Sequence, residues 1–294
     1  MTDKDATKGI WLMIAAVTVF AMQDGFSRHL AETYNTFMVI MIRYWVFAAF
    51  VLVLAWRQPQ GFVSAVRTHH PWLHLLRATL LIAEVCVIVY GYTQIGLINS
   101  HAIFAVCPLL VAALAVPLLG ERIPWQRWAA IGAGLVGVLI ILQPGSGVFS
   151  LASLLPLAAA TMFAIYSLLT RLTTRDEPAF VALFWSGIIG CVLVSVIGLP
   201  KWEPMLGADW LWMTVYALLA ILGNWLLIRC YEVAEASSVQ PFAYLQILLV
   251  TLIGIVVYDE ALRSPVLIGG AIVVGAGLFA LFHSTRQVKG VLPG

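Results

Sequence analysis

The chain is poor in charge. Only 10% of its 294 residues are Asp, Glu, Lys or Arg and 62% are hydrophobic, far from the ~25% charged content of soluble domains, which excludes a water-soluble globule. Lysine and arginine form no block and no basic helix face, and the formal net charge is only +2. A nucleic-acid partner therefore has no electrostatic basis. Cysteine is scarce: Cys86, Cys107, Cys191 and Cys230 all lie inside apolar runs. Without CxxC or Cys/His spacing they read as small packing residues, which argues against a disulfide frame and a zinc site. No GxxxxGK[ST] loop occurs, so ATP-driven work by this chain alone is disfavoured and no cofactor is implied. Long polar stretches are missing too. The longest connection runs from Arg57 to Pro71, which leaves no place for a soluble domain. The opening MTDKDATKGIW lacks a small-residue cleavage site, and the apolar run behind it is too long for a signal-peptide core, so it reads as the start of a first span.

What is present is a series of apolar runs, each of ~20 residues and so long enough to cross the ~30 Å hydrocarbon core as a helix. Ten can be drawn: Gly9 to Leu30, Thr36 to Trp56, Trp72 to Thr93, Ile98 to Leu119, Trp125 to Leu142, Phe149 to Thr170, Pro178 to Leu199, Asp209 to Tyr231, Ser237 to Tyr258 and Arg263 to Phe282. Turn chemistry separates them, as in Arg57-Gln-Pro-Gln-Gly61, Gln143-Pro-Gly-Ser-Gly147 and Asp176-Glu-Pro178. The fold class expected is all-α integral membrane.

The chain also repeats itself. Residues 98–142 form an apolar run, an acidic turn at Glu121 and a glycine-studded run; residues 236–282 do the same around Glu260, 139 residues later. At that offset Tyr92, Asn99 and Glu121 fall opposite Tyr231, Ser238 and Glu260. Phe20 to Arg28 loosely matches Phe163 to Arg171. The expected organisation is two five-helix repeats, 1–145 and 146–294. An odd number of spans per repeat inverts the second relative to the first, and inverted repeats put a substrate site near the membrane midplane. With the N-terminus inside, twelve Lys/Arg residues fall in or beside cytoplasmic segments against Arg28, Lys201 and Arg263 outside. That bias puts both termini in the cytoplasm.

Polar residues within the runs point to the site, because a charge in hydrocarbon needs a partner or a wet cavity. Asp24 and Arg43 lie at similar depth in the first two spans and are expected to form an ion pair, structural or gating, with Arg28 also in i,i+4 reach of Asp24. Glu84 sits mid-span with no basic residue within a turn, so it stays protonated or faces water and substrate. Asn224 in the eighth span stands at the corresponding depth. His101 and Gln240 match one another a turn into the fourth and ninth spans, and Gln246 lies deeper in the ninth. Pro108 and Pro241 interrupt those two helices, as suits cavity walls. Phe104, Trp225 and Tyr244 offer stacking faces for an aromatic ring or organic cation, while most other tryptophans sit at span ends as an interfacial belt. For each, interhelical or lipid-facing packing is the competing account. Small residues such as Gly134, Gly137, Gly269 and Gly270 allow close helix approach in the fifth and tenth spans, within the chain or in a homo-oligomer. Glu121 and Glu260 are expected to serve the dipoles of the helices that follow them. His70 and His74, four apart, are read as interfacial polar residues and no metal site is assigned.

The five-plus-five plan, the Gly120-Glu121 and Asp259-Glu260 turns and the glycine-rich fifth and tenth spans resemble the EamA-type members of the drug/metabolite transporter superfamily, over the whole chain. Asp259 departs from the first copy's Gly120. The resemblance implies a carrier in a bacterial inner membrane, not an enzyme, that exports small amphipathic metabolites by alternating access. Within the superfamily the chain is similar to aromatic amino-acid exporters, and export of organic cations or drugs is the alternative. A membrane enzyme acting on lipid-linked substrates would need a nucleophile, acid/base or metal constellation at the interface, and beyond the His70/His74 spacing none is visible. A channel would favour rings of like charge in an oligomer, which this set of polar residues does not suggest. The implied partners are a small-molecule substrate and the lipid bilayer.

Overall fold

The computed structural model describes residues 3–59, 61–119, 125–143, 150–234 and 239–289. Apart from turns and three short 3-10 segments, all of it is α-helical. Twelve helices are numbered here in chain order: α1 Asp3–Thr33, α2 Thr36–Trp56, α3 Phe62–Val66, α4 Pro71–Ile95, α5 Leu97–Phe104, α6 Cys107–Leu119, α7 Trp125–Leu142, α8 Leu154–Asp176, α9 Ala179–Gly198, α10 Asp209–Val233, α11 Leu245–Tyr258 and α12 Ser264–Lys289.

Helix boundaries follow local chemistry. The Asn35 side chain accepts the Phe37 amide at 3.0 Å and starts α2. Pro71 occupies the first position of α4, where a missing N–H costs nothing. Gly96, at φ +84°, ends α4 in a conformation that only glycine adopts freely. The stretch expected as a single fourth span is broken between Phe104 and Cys107, so that Pro108 falls in the first turn of α6 and no interior hydrogen bond is lost. The matching place in the ninth span is a 3-10 turn, Gln240–Tyr244, leading into α11.

Seven helical segments among the described residues are long and apolar enough to cross a membrane, and three shorter apolar helices, Trp128–Leu142, Phe242–Tyr258 and Ser264–Phe279, accompany them. The most extensive pairings all join a helix before Gln143 to one after Ser150: α1 with α10, α7 with α12, α4 with α8 and α2 with α9. One main core draws on helices from both halves, with a small satellite of Ile98, Ala102 and Val266. At the α7/α12 crossing Gly137 faces the Gly269 carbonyl, and the two backbones touch where a side chain would hold them apart. These glycines of the fifth and tenth spans therefore serve contacts within the chain.

The connection 57–71 carries α3, pinned to α9 by a 3.0 Å hydrogen bond from Trp185 Nε1 to the Val66 carbonyl. Trp11, Trp56, Trp72, Trp125 and Trp128 are exposed near helix ends, as an interfacial belt requires.

Candidate functional site

Eight helices wall a space in the core. Its polar lobe, about 60 Å³, is bounded by Phe20, Gln23 and Asp24 of α1, Arg43 of α2, Glu84 of α4, His101 and Phe104 of α5, Phe163 of α8, Asn224 of α10 and Gln246 of α11. A second lobe of about 40 Å³ shares Phe20, His101, Phe104, Phe163 and Gln246 with the first and continues between Met13, Pro108, Leu227 and Tyr244. It is almost wholly apolar. Together they form a two-ended chamber, charged at one end and greasy at the other. A water needs roughly 10–15 Å³ on this measure, so each lobe as it stands holds a few waters, and a metabolite requires the walls to part.

Helical geometry explains the placement. With ~100° between neighbours, Asn224 turns inward at 2% exposure and the adjacent Trp225 turns outward at 42%. The expectation that Trp225 lines the cavity is therefore corrected: its ring lies on the outer surface. Gly223 leaves room for the Phe20 ring, which a Cβ there would strike at 2.6 Å. Gly277 of α12 does the same for Tyr244. Between the lobes runs a ladder of rings: Tyr92 stacks on His101 at 5.4 Å, His101 meets Phe104 at 6.0 Å, and Phe104 meets Phe163 at 5.8 Å.

The expected Asp24/Arg43 ion pair is not formed. Asp24 Oδ2 accepts a hydrogen bond from Gln246 Nε2 at 2.9 Å and lies 3.1 Å from His101 Nε2. His101 Nε2 in turn lies 2.9 Å from Tyr92 Oη. Arg43, 1% exposed, donates from Nη1 to Tyr216 Oη at 3.1 Å. The two residues share the chamber but point at different walls, because similar depth in neighbouring helices says nothing about azimuth. Arg28 binds Glu260 and Glu32, not Asp24. Glu84 and Asn224, expected at one depth, both line the polar lobe. Pro108 and Tyr244 line the apolar lobe. The side chains of Gln240 and Pro241 lie outside the described residues, as does the Gly120-Glu121 turn.

Two further networks tie the helices together outside the lining of the lobes. In one, the Glu260 carboxylate accepts the amides of Leu97 at 2.7 Å and Ile98 at 2.8 Å and also binds Arg28, whose guanidinium lies 4.1 Å above the Tyr258 ring. Glu260 therefore caps α5, which is remote in sequence, and not the following helix as expected. In the other, Arg77, fully buried, donates to Thr170 Oγ1, Ser186 Oγ and the Ala182 carbonyl. His74 bridges it to Glu177: His74 Nδ1 lies 3.0 Å from Arg77 Nη1 and Nε2 lies 2.7 Å from Glu177 Oε2. His74 is 1% exposed, so it is a core residue and not an interfacial one. Burial alone would raise the Glu177 carboxyl, but hydrogen bonds from His74, Thr68 and the His69 amide outweigh it and hold the group below its ordinary value.

Sequence reasoning did not single out Phe20, Gln23, Phe163 or Tyr216 as site residues. The pairing of Phe20 with Phe163 in the internal repeat was the available signal for two of them. Gln23, polar in an apolar run beside Asp24, carried the same contrast as the residues singled out, and Tyr216 carried none.

The sequence pattern of the EamA-like transporter family matches the chain twice, over residues 7–143 and 150–282. The chain belongs to the EamA-like transporter family. The transporter is 24% identical over 285 residues to a protein of Rickettsia prowazekii named S-adenosylmethionine uptake transporter, covering 95% of this chain and 94% of the relative. It is 28% identical over 287 residues to the riboflavin transporter of Rhizobium johnstonii, covering 95% and 92%. A crystal structure superposes with a TM-score of 0.68 over 98% of this chain and 99% of the other at 18% identity, a likeness of fold alone. The transporter is an integral membrane protein, and its relatives carry the names of metabolite transporters, neither being named an aromatic amino-acid exporter.

Proposed function

We propose that the transporter is a secondary carrier that moves a small amphipathic metabolite, bearing a planar ring and a polar head, through the central chamber by alternating access. The observation that carries this is the joined pair of lobes, with buried Asp24, Arg43, Glu84 and Asn224 at one end, Met13, Leu227 and Tyr244 at the other, and Phe104 and Phe163 shared between them. In lipid, buried charge without a ligand pathway is costly. A chamber holding only a few waters belongs to a closed state, which must open to either side to load.

In this reading the seven long helical segments and the three shorter ones make ten passes, as two inverted repeats, 1–145 and 146–294. Matched breaks support the repeat, since the ends of α5 and of the 3-10 turn Gln240–Tyr244 fall within about one residue of equivalent positions. The positive-inside bias supports cytoplasmic termini, and a bacterial inner membrane is the proposed site. Relatives named for S-adenosylmethionine uptake and for riboflavin favour heteroaromatic metabolites and inward movement over export of the free aromatic amino acids. The aromatic amino acids remain the second reading, because the same lobes suit an indole or phenyl ring.

Counterflow in proteoliposomes tests the proposal, with labelled S-adenosylmethionine, riboflavin, tryptophan, organic cations and nucleotide sugars, each with and without a pH gradient. Saturable exchange of one ring-bearing metabolite is expected. Flux of none of them by protein that is monodisperse and correctly inserted overturns the carrier reading.

A further inference from the structure

The polar lobe contains groups that the protein itself leaves unsatisfied. Arg43 is 1% exposed, and its Nε has no hydrogen-bond partner. Asn224 is 2% exposed; its Nδ2 donates to the Ala220 carbonyl at 2.9 Å, which fixes the amide orientation, and its Oδ1 has no partner. Gln23, 7% exposed, likewise has an unpartnered Oε1. All three side chains line the same lobe. Buried polar atoms are ordinarily paired, and each left unpaired costs about 1–3 kcal/mol. Three orphans on one cavity wall mark where a ligand or ordered water completes the set.

Charge sharpens the picture. Glu84 is 6% exposed, lines the lobe, and makes no hydrogen bond or ion pair among the described residues. Arg43 lines the same lobe, and no ion pair joins the two among the described residues. Asp24, the other acid, already has Gln246 and His101. The lobe therefore holds a guanidinium and a carboxyl group that are not paired with each other. Buried ionisable groups without partners are a poor arrangement alone, and become a good one when a molecule carrying the complementary charges sits against them.

Resting on the carrier reading above, we propose that Arg43 and Glu84 form a split ion pair that receives the zwitterionic head of an amino-acid-type substrate, carboxylate toward Arg43 and ammonium toward Glu84. The carbonyl oxygens of Asn224 and Gln23 accept the remaining ammonium hydrogens. The substrate's ring extends past Phe20, Phe104 and Phe163 into the apolar lobe. S-adenosylmethionine and tryptophan both have such a head attached to a ring system, whereas riboflavin has none.

The test is binding to the full chain in lipid nanodiscs by titration calorimetry, alongside counterflow. Two series are compared: tryptophan with tryptamine and indole-3-propionate, and S-adenosylmethionine with its decarboxylated form and with methylthioadenosine. At least one intact zwitterion is expected to bind about 10-fold or more tighter than its analogues lacking either charge. Arg43→Gln should erase the advantage conferred by the carboxylate, and Glu84→Gln that conferred by the ammonium. The analogue series on the wild-type protein decides the matter even where a variant fails to fold. Headless analogues binding as well as the zwitterions, or riboflavin transported while no zwitterion binds, overturns the split pair and leaves the carrier intact. Absence of both binding and flux for every compound sinks the carrier reading and the split pair with it.

Discussion

Gly96 sits directly beneath the Glu260 carboxylate: at φ +84°, a Cβ added to it would lie 2.9 Å from Oε1. The glycine lets α4 turn into α5 so that the amides of Leu97 and Ile98 face one acid that is 163 and 162 residues away. That acid also holds Arg28 of α1. A single carboxylate thus ties α1, the start of α5 and the end of α11 together. Backbone donors to a carboxylate are among the stronger hydrogen bonds, about 1.5–3 kcal/mol each. Glu260→Gln is expected to lower the thermal stability of the detergent-solubilised protein and to raise labelling of a cysteine introduced at Asn99 by an impermeant thiol reagent. Gly96→Ala should be at least as damaging, since it adds about 1 kcal/mol of left-handed backbone strain to the clash. Unchanged stability and labelling in both variants would show that the contact seals nothing.

Acid should loosen the other network. The Glu177 carboxyl is held below its ordinary value by His74, Thr68 and the His69 amide. A group depressed in the folded state adds stability that is present above its unfolded value, ~4.3 for glutamate, and is lost as pH falls through the lower folded value. The wild-type melting temperature is therefore expected to drop as pH is lowered below ~4, and Glu177→Gln should flatten that limb while lowering stability near neutrality. An acid limb of the same steepness in the variant would show that Glu177 does not govern it.

What the sequence makes legible is contrast. Glu84, Asn224, His101 and Gln246 stand out because each is polar in an apolar run, and the structure brings all four to one lobe. Phe20 and Phe163 line the same space, yet an aromatic residue in an apolar run has no contrast, and only the repeat pairs them. Depth is legible where azimuth is not. Asp24 and Arg43 lie at one level yet face different partners, and Trp225 differs from Asn224 by a single step around the helix. Long-range capping is invisible for another reason: nothing local to Asp259-Glu260 says that its target is the Gly96 turn.

That single step gives a direct comparison. Asn224→Ala removes a carbonyl from the polar lobe and is expected to reduce substrate flux by about 10-fold, the scale of one lost hydrogen bond at a built site. Trp225→Leu changes a ring on the outer surface and should leave flux within about 2-fold. Radiotracer uptake at matched expression measures both. Equal losses in the two variants would mean that flux does not depend on the inward face of α10.

The α7/α12 crossing allows a test of packing inside one helix. A Cβ on Gly137 would lie 2.7 Å from the Gly269 carbonyl oxygen and 2.9 Å from a Val273 methyl, and backbone cannot swing aside as a side-chain tip can. Gly137→Ala should therefore force the helices apart and cost about 1–3 kcal/mol, the usual range for overpacking. Gly132, on the same helix, has nothing within 4 Å of the corresponding position. Gly132→Ala meets no obstacle, and the better helix propensity of alanine, worth ~0.5–1 kcal/mol, should leave the protein as stable or slightly more so. Thermal unfolding of the two variants in the same detergent separates them. If both shift alike, helix propensity governs α7 and the close crossing at Gly137 contributes nothing measurable.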